Sequence, residues 1–451
     1  MSGPRHLLVR ASAGTGKTHQ LTSRYLALLF AGADPGCVLA TTFTRKAAYE
    51  ILDRVLARLA EAARDAGELG QLAEAVGRSV SGEECLDLLA RLLRGMERIR
   101  IETIDAFFAQ LARLFALDIG LPAGWRIADE AEGDLVRSEA VADAVAGAGK
   151  AELLDLLRDL QRQDVGQSVH RKLIEFAKSG REALLESRRA AWERIEPLAA
   201  VEPRVLAAAV AALPSLRLPR TKSGKSPGAE KATWAKSKRR IVECVERQDW
   251  AGALEVGLVQ KVCAGETHFD RVAIELEHLE VLHPIVARAL REVTEQLARQ
   301  NRASRALLER HEESYQAICR ERGLLDFSDL PEALAPISGA GLVSERAFDL
   351  EHRLDGRIDH LLLDEFQDTA PVQWRVLRPI ADAILGDASG EKSFFCVGDV
   401  KQSIYGWRAA EPRLLRDLEK KRPNLVGEEL RKSYRSSRAV LGTVNRVFTK
   451  I

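Results

Sequence analysis

The sequence predicts an α/β protein whose parallel sheet is interrupted by a large, all-helical insertion. Apolar runs of strand length lie near both ends of the chain, at residues 6–10, 38–43, 98–104, 358–366 and 393–399. The last two are continuously apolar and end in acids, which is typical of buried parallel strands. Between residues 107 and 330, Leu, Ala, Arg and Glu recur at helical spacing instead.

The composition is that of an ordinary globular protein and excludes several other classes. The 451 residues carry 67 Lys and Arg against 66 Asp and Glu, so the net charge of +1 provides no general attraction to nucleic acid. No apolar run approaches the roughly 18 residues of a membrane span. The six cysteines form no CxxC pair, so neither a zinc site nor a disulfide framework is indicated. We therefore expect a cytoplasmic protein that contacts no membrane.

The first apolar run leads into a small-residue loop and then a helix over residues 17–30. Gly14 and Gly16 let the backbone curl so that its N–H groups face a phosphate chain at the helix N-terminus. Lys17 is placed to reach the β- and γ-phosphates of a nucleotide, and the Thr18 hydroxyl to hold Mg²⁺. The nucleotide-binding stretch is Ala11, Ser12, Ala13, Gly14, Thr15, Gly16, Lys17 and Thr18, with Ala11 where the strict P-loop pattern has Gly.

An acidic pair follows the apolar run of residues 358–366. Asp364 and Glu365 stand at its C-terminal end, the edge at which parallel sheets place nucleotide sites. Asp364 is expected to bind Mg²⁺ through water, and Glu365 to polarise the attacking water. Such a pair is common by itself. Together with the loop of residues 14–18, it predicts hydrolysis of a nucleoside triphosphate.

The helical insertion contains one strongly basic stretch, residues 214–240, which is rich in Pro, Gly, Ser and Lys. Nine Lys or Arg side chains occur there against a single acid, Glu230. The stretch reads either as a flexible, solvated loop or as a loop that contacts phosphates. The sequence leaves both readings open.

Seven ordered blocks of the chain carry a resemblance to a known family. They are residues 11–18, 42–48, 102–107, 325–330, 364–369, 398–408 and 432–437. In this order they resemble the motifs of UvrD/Rep-type superfamily 1 DNA helicases, in the branch that contains AddA and RecB. The resemblance implies a P-loop NTPase with a RecA-like parallel sheet, ATP and Mg²⁺ as cofactors, and single-stranded and duplex DNA as partners.

The resemblance also implies roles for residues outside the first two sites. Gln402 would sense the γ-phosphate or the attacking water, and Arg408 would couple that site to DNA. Tyr434 would stack on the adenine, and Arg435 would act as an arginine finger. Phe43 and Trp407, which taken singly would suit a core, would instead stack on single-strand bases. The implied DNA contacts are Thr42, Phe43, Thr44, Arg45, Lys46, Thr103, Tyr405 and Trp407.

The family pattern suggests the following division of the chain. Residues 1–110 and 323–423 form a first RecA-like domain, residues 111–322 a helical arm, and residues 424–451 the start of a second RecA-like domain. The later helicase motifs V and VI are not found, so we expect a piece of a longer protein.

Two functions remain open. One is an ATP-dependent helicase or translocase of DNA repair and recombination, moving 3′ to 5′. Its possible partner is a second helicase/nuclease subunit of an AddAB/RecBCD-like complex, and its wider context is that of an exonuclease subunit. The alternative is a catalytically incomplete, nucleotide-dependent DNA-binding subunit or scaffold of such a complex. DNA-stimulated ATP hydrolysis would distinguish the two.

Overall fold

A computed structural model describes residues 6–12, 14–149, 169–221, 228–340, 353, 356–403, 411–430, 432 and 434–448. The chain divides into two compact units, Met1–Gly133 with Cys319–Ile451, and Asp134–Ile318. The first unit is therefore built from both ends of the chain. The first boundary lies after Gly133, about twenty residues beyond the division suggested at residue 110. The second lies after Ile318, close to the division suggested at residue 322.

The first unit contains a large parallel sheet. Its six strands, in the described part of the chain, are β1 (His6–Ala11), β2 (Val38–Thr42), β3 (Arg100–Thr103), β8 (His360–Leu363), β9 (Ser393–Gly398) and β10 (Val426–Leu430). They lie in the order β10-β1-β9-β8-β2-β3, and every neighbouring pair is parallel. The predicted α/β class and parallel sheet are confirmed.

The sheet is buried on both faces at β8 and β9, where every residue is buried and only His360 and Ser393 carry polar side chains. Leu361 and Leu363 pack in one core with Phe107 and Phe394. Leu362, which points to the opposite face, packs in a second core with Leu21, Tyr25 and Phe395. Side chains on both faces are therefore mostly apolar, which explains the continuous apolar runs at residues 358–366 and 393–399.

Helices cover both faces of this sheet. Those of the first unit are α1 (Lys17–Phe30), α2 (Arg45–Ala62), α3 (Ala66–Val76), α4 (Gly82–Arg94), α5 (Ile104–Leu114), α14 (Asp329–Ala340), α15 (Pro371–Leu385), α16 (Arg413–Lys421) and α17 (Arg438–Phe448). A short parallel pair, β4 (Arg126–Ile127) with β7 (Leu324–Leu325), joins the two ends of this unit beside the insertion.

Strand β10 corrects one expectation. Residues 424–451 were expected to begin a second RecA-like domain, but β10 pairs with β1 along its whole length, from Leu7 opposite Val426 to Ala11 opposite Leu430. The strand is therefore an edge strand of the first sheet. Helix α17, which follows it, buries none of its residues among those described.

The second unit is predominantly helical. Its elements are α6 (Glu130–Ala146), α7 (Val169–Glu186), α8 (Arg189–Trp192), α9 (Pro203–Ala212), α10 (Ala232–Glu246), α11 (Trp250–Leu254), α12 (Gly257–Cys263), the hairpin of β5 (His268–Phe269) and β6 (Val272–Ala273), and α13 (Leu276–Arg322). Helices α6 and α13 cross the boundaries between the units. One of its cores surrounds the fully buried Trp234. Helix α13 has 47 residues and lies within the region in which helical spacing is predicted.

The basic stretch of residues 214–240 is not a loop throughout. Its last nine residues form the first turns of α10, where Trp234 and Ser237 are buried. Lys238 donates to the carbonyl oxygens of Pro214 and Leu216, both 3.2 Å away, so part of its charge serves the fold. Residues 222–227 of the stretch lie outside the described part of the chain. Among the described residues, no helix has the length and apolar character that crossing a membrane requires.

Candidate functional site

The loop between β1 and α1 has the backbone that its sequence predicts. Gly14 and Gly16 have φ values of +76° and +94°, in the region that favours glycine. The Thr15 hydroxyl and backbone N–H both donate to the Ser12 carbonyl oxygen, at 2.7 and 3.2 Å, and so close a tight turn. No side chain among the described residues caps the N-terminus of α1. The loop therefore offers a helix N-terminus to an anion.

The remaining residues of the stretch have different surroundings. Ala11 is buried at the end of β1, Ser12 is exposed, and Thr18 is half-buried in the first turn of α1. Ala13 lies outside the described residues.

Lys17 contacts the residues that the chemistry of the site requires. Its side chain is only 11% exposed, and Nζ lies 2.5 Å from Glu365 Oε2. The same Nζ donates to Gln402 Oε1 at 3.3 Å. Three side chains from distant parts of the sequence thus meet at the carboxyl edge of the sheet.

The acidic pair lies where β8 ends. The Asp364 N–H continues the sheet by donating to Thr41 O at 2.9 Å. Burial, and next the charge of Glu365, raise the pKa of Asp364 to about 7, against the smaller opposing effect of Lys17. The same two causes raise the pKa of Asp368 to about 6. Acids crowded around one lysine make a site that an added cation would stabilise.

These residues fit Mg²⁺ bound together with a nucleotide. Mg²⁺ is typically held by one or two carboxylates, waters and substrate phosphates, not by a complete protein cage. Within the described part of the chain, no group of three or more His, Cys, Asp and Glu side chains could hold an ion by itself. The pKa of Asp364 is raised because burial and the charge of Glu365 outweigh the opposing effect of Lys17, so a bound cation would favour the ionised carboxylate. The Asp364 carboxylate and the Thr18 hydroxyl are thus suitable oxygen ligands for Mg²⁺ beside the phosphate loop.

A closed circuit of hydrogen bonds joins the site. Lys17 donates to Glu365, and Gln367 Nε2 donates to the same Glu365 oxygen at 2.7 Å. The Asp399 N–H donates to Gln367 Oε1 at 2.9 Å, and Gln402 Nε2 donates to Asp399 Oδ2 at 2.6 Å. The Lys17 bond to Gln402 completes the circuit. Gln367 and Asp399 were not among the predicted site residues, although they stand inside the motif blocks of residues 364–369 and 398–408.

The predicted DNA-contacting segment at the end of β2 is partly exposed. Phe43 is half-buried, and Arg45 and Lys46 are exposed at the start of α2. The Thr44 hydroxyl caps that helix by accepting from the Ala47 N–H at 3.1 Å. Thr42 is 3% exposed, so a contact between its hydroxyl and a phosphate would require rearrangement.

Of the other predicted DNA contacts, Thr103 lies beside Thr42 at the end of the neighbouring strand β3, and the rest lie outside the described residues. Thr103 is buried and caps α5 by accepting from the Ala106 N–H at 3.1 Å. Its hydroxyl therefore has a structural role already. Tyr405, Trp407 and Arg408 lie outside the described residues.

Tyr434 and Arg435 follow β10 at the carboxyl edge of the sheet. The Tyr434 N–H donates to Gly14 O at 2.8 Å, so this segment contacts the phosphate loop directly. The Tyr434 ring is 72% exposed, with Lys432 Nζ 4.9 Å from its centroid. Arg435 is exposed. The pairing of β10 with β1 thus brings both residues to the candidate site.

Comparison with known proteins gives several relatives that share one name. Proteins named as ATP-dependent helicase/nuclease subunits, from Desulforudis audaxviator, Geobacillus kaustophilus and Moorella thermoacetica, are 30%, 28% and 29% identical to this chain. The alignments cover 99%, 100% and 99% of the chain but 39%, 38% and 34% of the relatives. The chain thus spans well under half the length of the relatives it matches.

The family match covers most of the chain. Residues 2–423 match the family described as UvrD/REP helicase N-terminal domain. That range includes the phosphate loop, the acidic pair and the Gln402 segment, which the fold brings together at one edge of the sheet. The chain therefore belongs to the UvrD/REP helicase N-terminal domain family.

Proposed function

We propose that this chain binds ATP with Mg²⁺ at the carboxyl edge of its parallel sheet and hydrolyses it to drive movement along single-stranded DNA. The observation that carries the proposal is the meeting of Lys17, Glu365 and Gln402 beside a glycine loop at a helix N-terminus. This arrangement suits phosphoryl transfer, which depends mainly on positioning and on stabilising negative charge.

Each residue at the site has a role in this proposal. The N–H groups of the Gly14–Gly16 region bind the phosphates, and Lys17 exchanges Glu365 for phosphate oxygens. Thr18 and Asp364 hold Mg²⁺, which when bound supplies positive charge to the phosphate oxygens. Glu365, released from Lys17, orients the attacking water and accepts its proton. Gln402 then reports the state of the γ-phosphate to Asp399 and the segment beyond it.

Further roles are proposed for residues near the adenine and the γ-phosphate. Tyr434 stacks on the adenine, Arg435 stabilises charge on the γ-phosphate, and Arg408 links the site to DNA. The backbone contact between Tyr434 and Gly14 supports the first of these because it holds the ring beside the phosphate loop.

DNA is proposed to run past the carboxyl end of β2. Arg45 and Lys46 are exposed there beside the half-buried ring of Phe43, which suits phosphate contacts combined with base stacking. We place Tyr405, Trp407 and Thr44 on the same path, together with the strand ends that carry the buried residues Thr42 and Thr103. We also propose movement 3′ to 5′, a role in repair and recombination, and a second subunit in the complex. The match to the helicase family and the naming of the relatives as helicase/nuclease subunits support the helicase and subunit parts of this proposal.

A second function is favoured by one observation. Lys17 is paired with Glu365, the proposed catalytic base, so binding of phosphate would change the partners of both side chains. A nucleotide-switched DNA-binding subunit or scaffold would need that change but not hydrolysis.

The experiment that tests these proposals measures ATP binding and ATP hydrolysis, with and without single-stranded DNA. The variants are Lys17→Ala and Glu365→Gln. Lys261→Ala is the matched control, because Lys261 forms an exposed pair with Glu266 at 2.8 Å in the other unit. We expect Lys17→Ala to weaken ATP binding by at least about tenfold, the value of one charge-assisted contact. Glu365→Gln should keep binding and lose hydrolysis.

Three outcomes decide the matter. Failure of the wild-type chain to bind ATP would overturn both functions. Turnover stimulated by DNA would exclude the switch as the sole function. ATP binding that alters DNA affinity without turnover would favour the switch over the motor.

A further inference from the structure

Gln367 is the most completely hydrogen-bonded side chain at the site, and nothing in the proposed reaction uses it. It is 1% exposed. Its amide nitrogen donates to Glu365 Oε2 at 2.7 Å and to Asp368 Oδ2 at 3.1 Å, and its amide oxygen accepts from the Asp399 N–H at 2.9 Å. Both donor hydrogens and the acceptor are therefore engaged.

These contacts leave the amide a single orientation. Turning it over would set its oxygen against two carboxylates and its NH₂ group against the Asp399 N–H. The carboxylates of Glu365 and Asp368 would repel each other, and the amide donates to both. Gln367 is thus a neutral bridge in a place where a charged or shorter side chain could not make the same contacts.

Gly398 provides the space that this bridge needs. A Cβ atom built on Gly398 would lie 2.6 Å from Gln367 Oε1 and 3.3 Å from the backbone nitrogen of Gln367. Real Cβ atoms essentially never approach an oxygen so closely, so any side chain at position 398 would displace the amide. The last residue of β9 therefore determines the position of Gln367.

Glu365 depends on such support because its backbone is in the left-handed region, with φ +50° and ψ +41°. A non-glycine residue pays of order 1–3 kcal/mol for this conformation and adopts it only when its surroundings hold it. Lys17 and Gln367 hold its carboxylate in this structure. When Lys17 moves to the phosphates, Gln367 is the one of these two side chains that still contacts the Glu365 carboxylate.

We propose that Gln367 is a positioning residue that holds the Glu365 carboxylate against the end of β9, and that Gly398 is glycine to admit it. This inference rests on the proposed function, since it gives Glu365 its catalytic role. Gln367 itself touches neither nucleotide nor water in the scheme. It acts through Glu365 and Asp399, and so couples the acidic pair to the segment that carries Gln402.

The test compares Gln367→Glu and Gly398→Ala with Gln71→Glu. Gln71 is an exposed glutamine of α3 in the same unit, so Gln71→Glu makes the same chemical change away from the site. Three quantities are measured for each chain: kcat and KM for ATP, the Kd of ATP at equilibrium, and hydrogen exchange of the Asp399 amide without nucleotide or metal.

For Gln367→Glu we expect kcat to fall about 10- to 100-fold while the ATP Kd stays within about threefold. Its Asp399 amide should exchange as in the wild type, because an oxygen acceptor remains. Gly398→Ala should lower kcat similarly and should speed Asp399 exchange by about tenfold, as expected for loss of one buried hydrogen bond.

The possible failures are distinguishable. Unchanged Asp399 exchange in Gly398→Ala, or an undiminished kcat in Gln367→Glu, would overturn the assignment of Gln367. A wild-type chain that binds no ATP would overturn the proposed function instead. If the wild type binds ATP without turning it over, the Asp399 exchange result decides the assignment.

Discussion

The backbone N–H of Tyr434 donates a hydrogen bond to the carbonyl oxygen of Gly14, 2.8 Å away. Gly14 is one of the two left-handed glycines of the phosphate loop. The contact belongs to the main chain, so it holds the segment after β10 in place whatever side chain stands at position 434. The ring is left 72% exposed and available to a ligand.

We predict that Tyr434→Ala weakens ATP binding without affecting binding of inorganic triphosphate. An aromatic stacking contact is worth about 0.5–1.5 kcal/mol, which corresponds to a loss of about 2- to 10-fold. Calorimetric titration with both ligands measures the difference, and Tyr434→Phe should behave as the wild type. An equal loss for both ligands would assign the ring to the phosphate loop instead of the adenine.

We predict that Gly16→Ala and Gly32→Ala cost similar stability but that only the first impairs nucleotide binding. Their φ values are +94° and +98°, and a Cβ would find no atom closer than 3.9 Å at either position. The cost is therefore conformational, about 1–2 kcal/mol in each case. Thermal unfolding and ATP titration of both variants provide the comparison. Gly16 directly precedes α1, and Gly32 follows its C-cap residue Ala31. Gly32→Ala therefore serves as the control for general damage to α1.

We predict that Arg45→Ala reduces the salt dependence of single-stranded DNA binding. Removal of one phosphate contact should lower the slope of log K against log salt by about 0.7. Arg64→Ala is the control, since Arg64 is an exposed arginine just beyond the other end of α2. Fluorescence anisotropy at several salt concentrations measures the slope. Equal slopes for both variants would argue against a DNA path at the end of β2.

We predict that stability falls as the pH is lowered from about 6.5 towards 4, in part because of His360. Burial lowers its pKa to about 4, while the unfolded chain has the ordinary value of 6.5. Between these values the unfolded state binds the extra proton, so acid favours unfolding. The His360 contribution should be about 1 kcal/mol or less at pH 5.

The His360 prediction is checked by thermal unfolding from pH 7.5 to 5. His360→Gln should make the dependence of thermal stability on pH less steep. It removes the buried imidazole, whose Nδ1 lies 2.9 Å from Ser393 Oγ. His283→Gln serves as the control, because His283 is exposed. An equal flattening in both variants would show that His360 has no special part in the acid sensitivity.

The parts of the fold that local signals specify were predictable from sequence. Helix α1 begins at Lys17 and ends at Phe30 as predicted, since the glycines and the apolar spacing that mark its ends lie within a few residues of them. The helix over residues 232–240 was missed because Pro, Gly and Lys dominate the preceding residues. Its buried Trp234, Ser237 and Ile241 do follow helical spacing.

Features that depend on distant contacts were not predictable in the same way. The position of β10 beside β1 is a matter of strand order, which a local pattern does not encode. The position of the Gln367 side chain depends on the Asp399 N–H and on the absence of a side chain at Gly398. Both lie near Gln367 only because β8 pairs with β9. The left-handed backbone of Glu365 likewise has no sequence signal, because glutamate rarely adopts it.

The ladder between β1 and β10 has a mechanical consequence. Five consecutive residue pairs join the two strands, so we expect β1 and β10 to move together as a rigid body. The phosphate loop leaves the end of the first strand, and the Tyr434 segment leaves the end of the second. A displacement of the loop on nucleotide binding would therefore reach Tyr434 and α17 through the main chain itself, and changes of surface side chains along the way should leave that transmission intact.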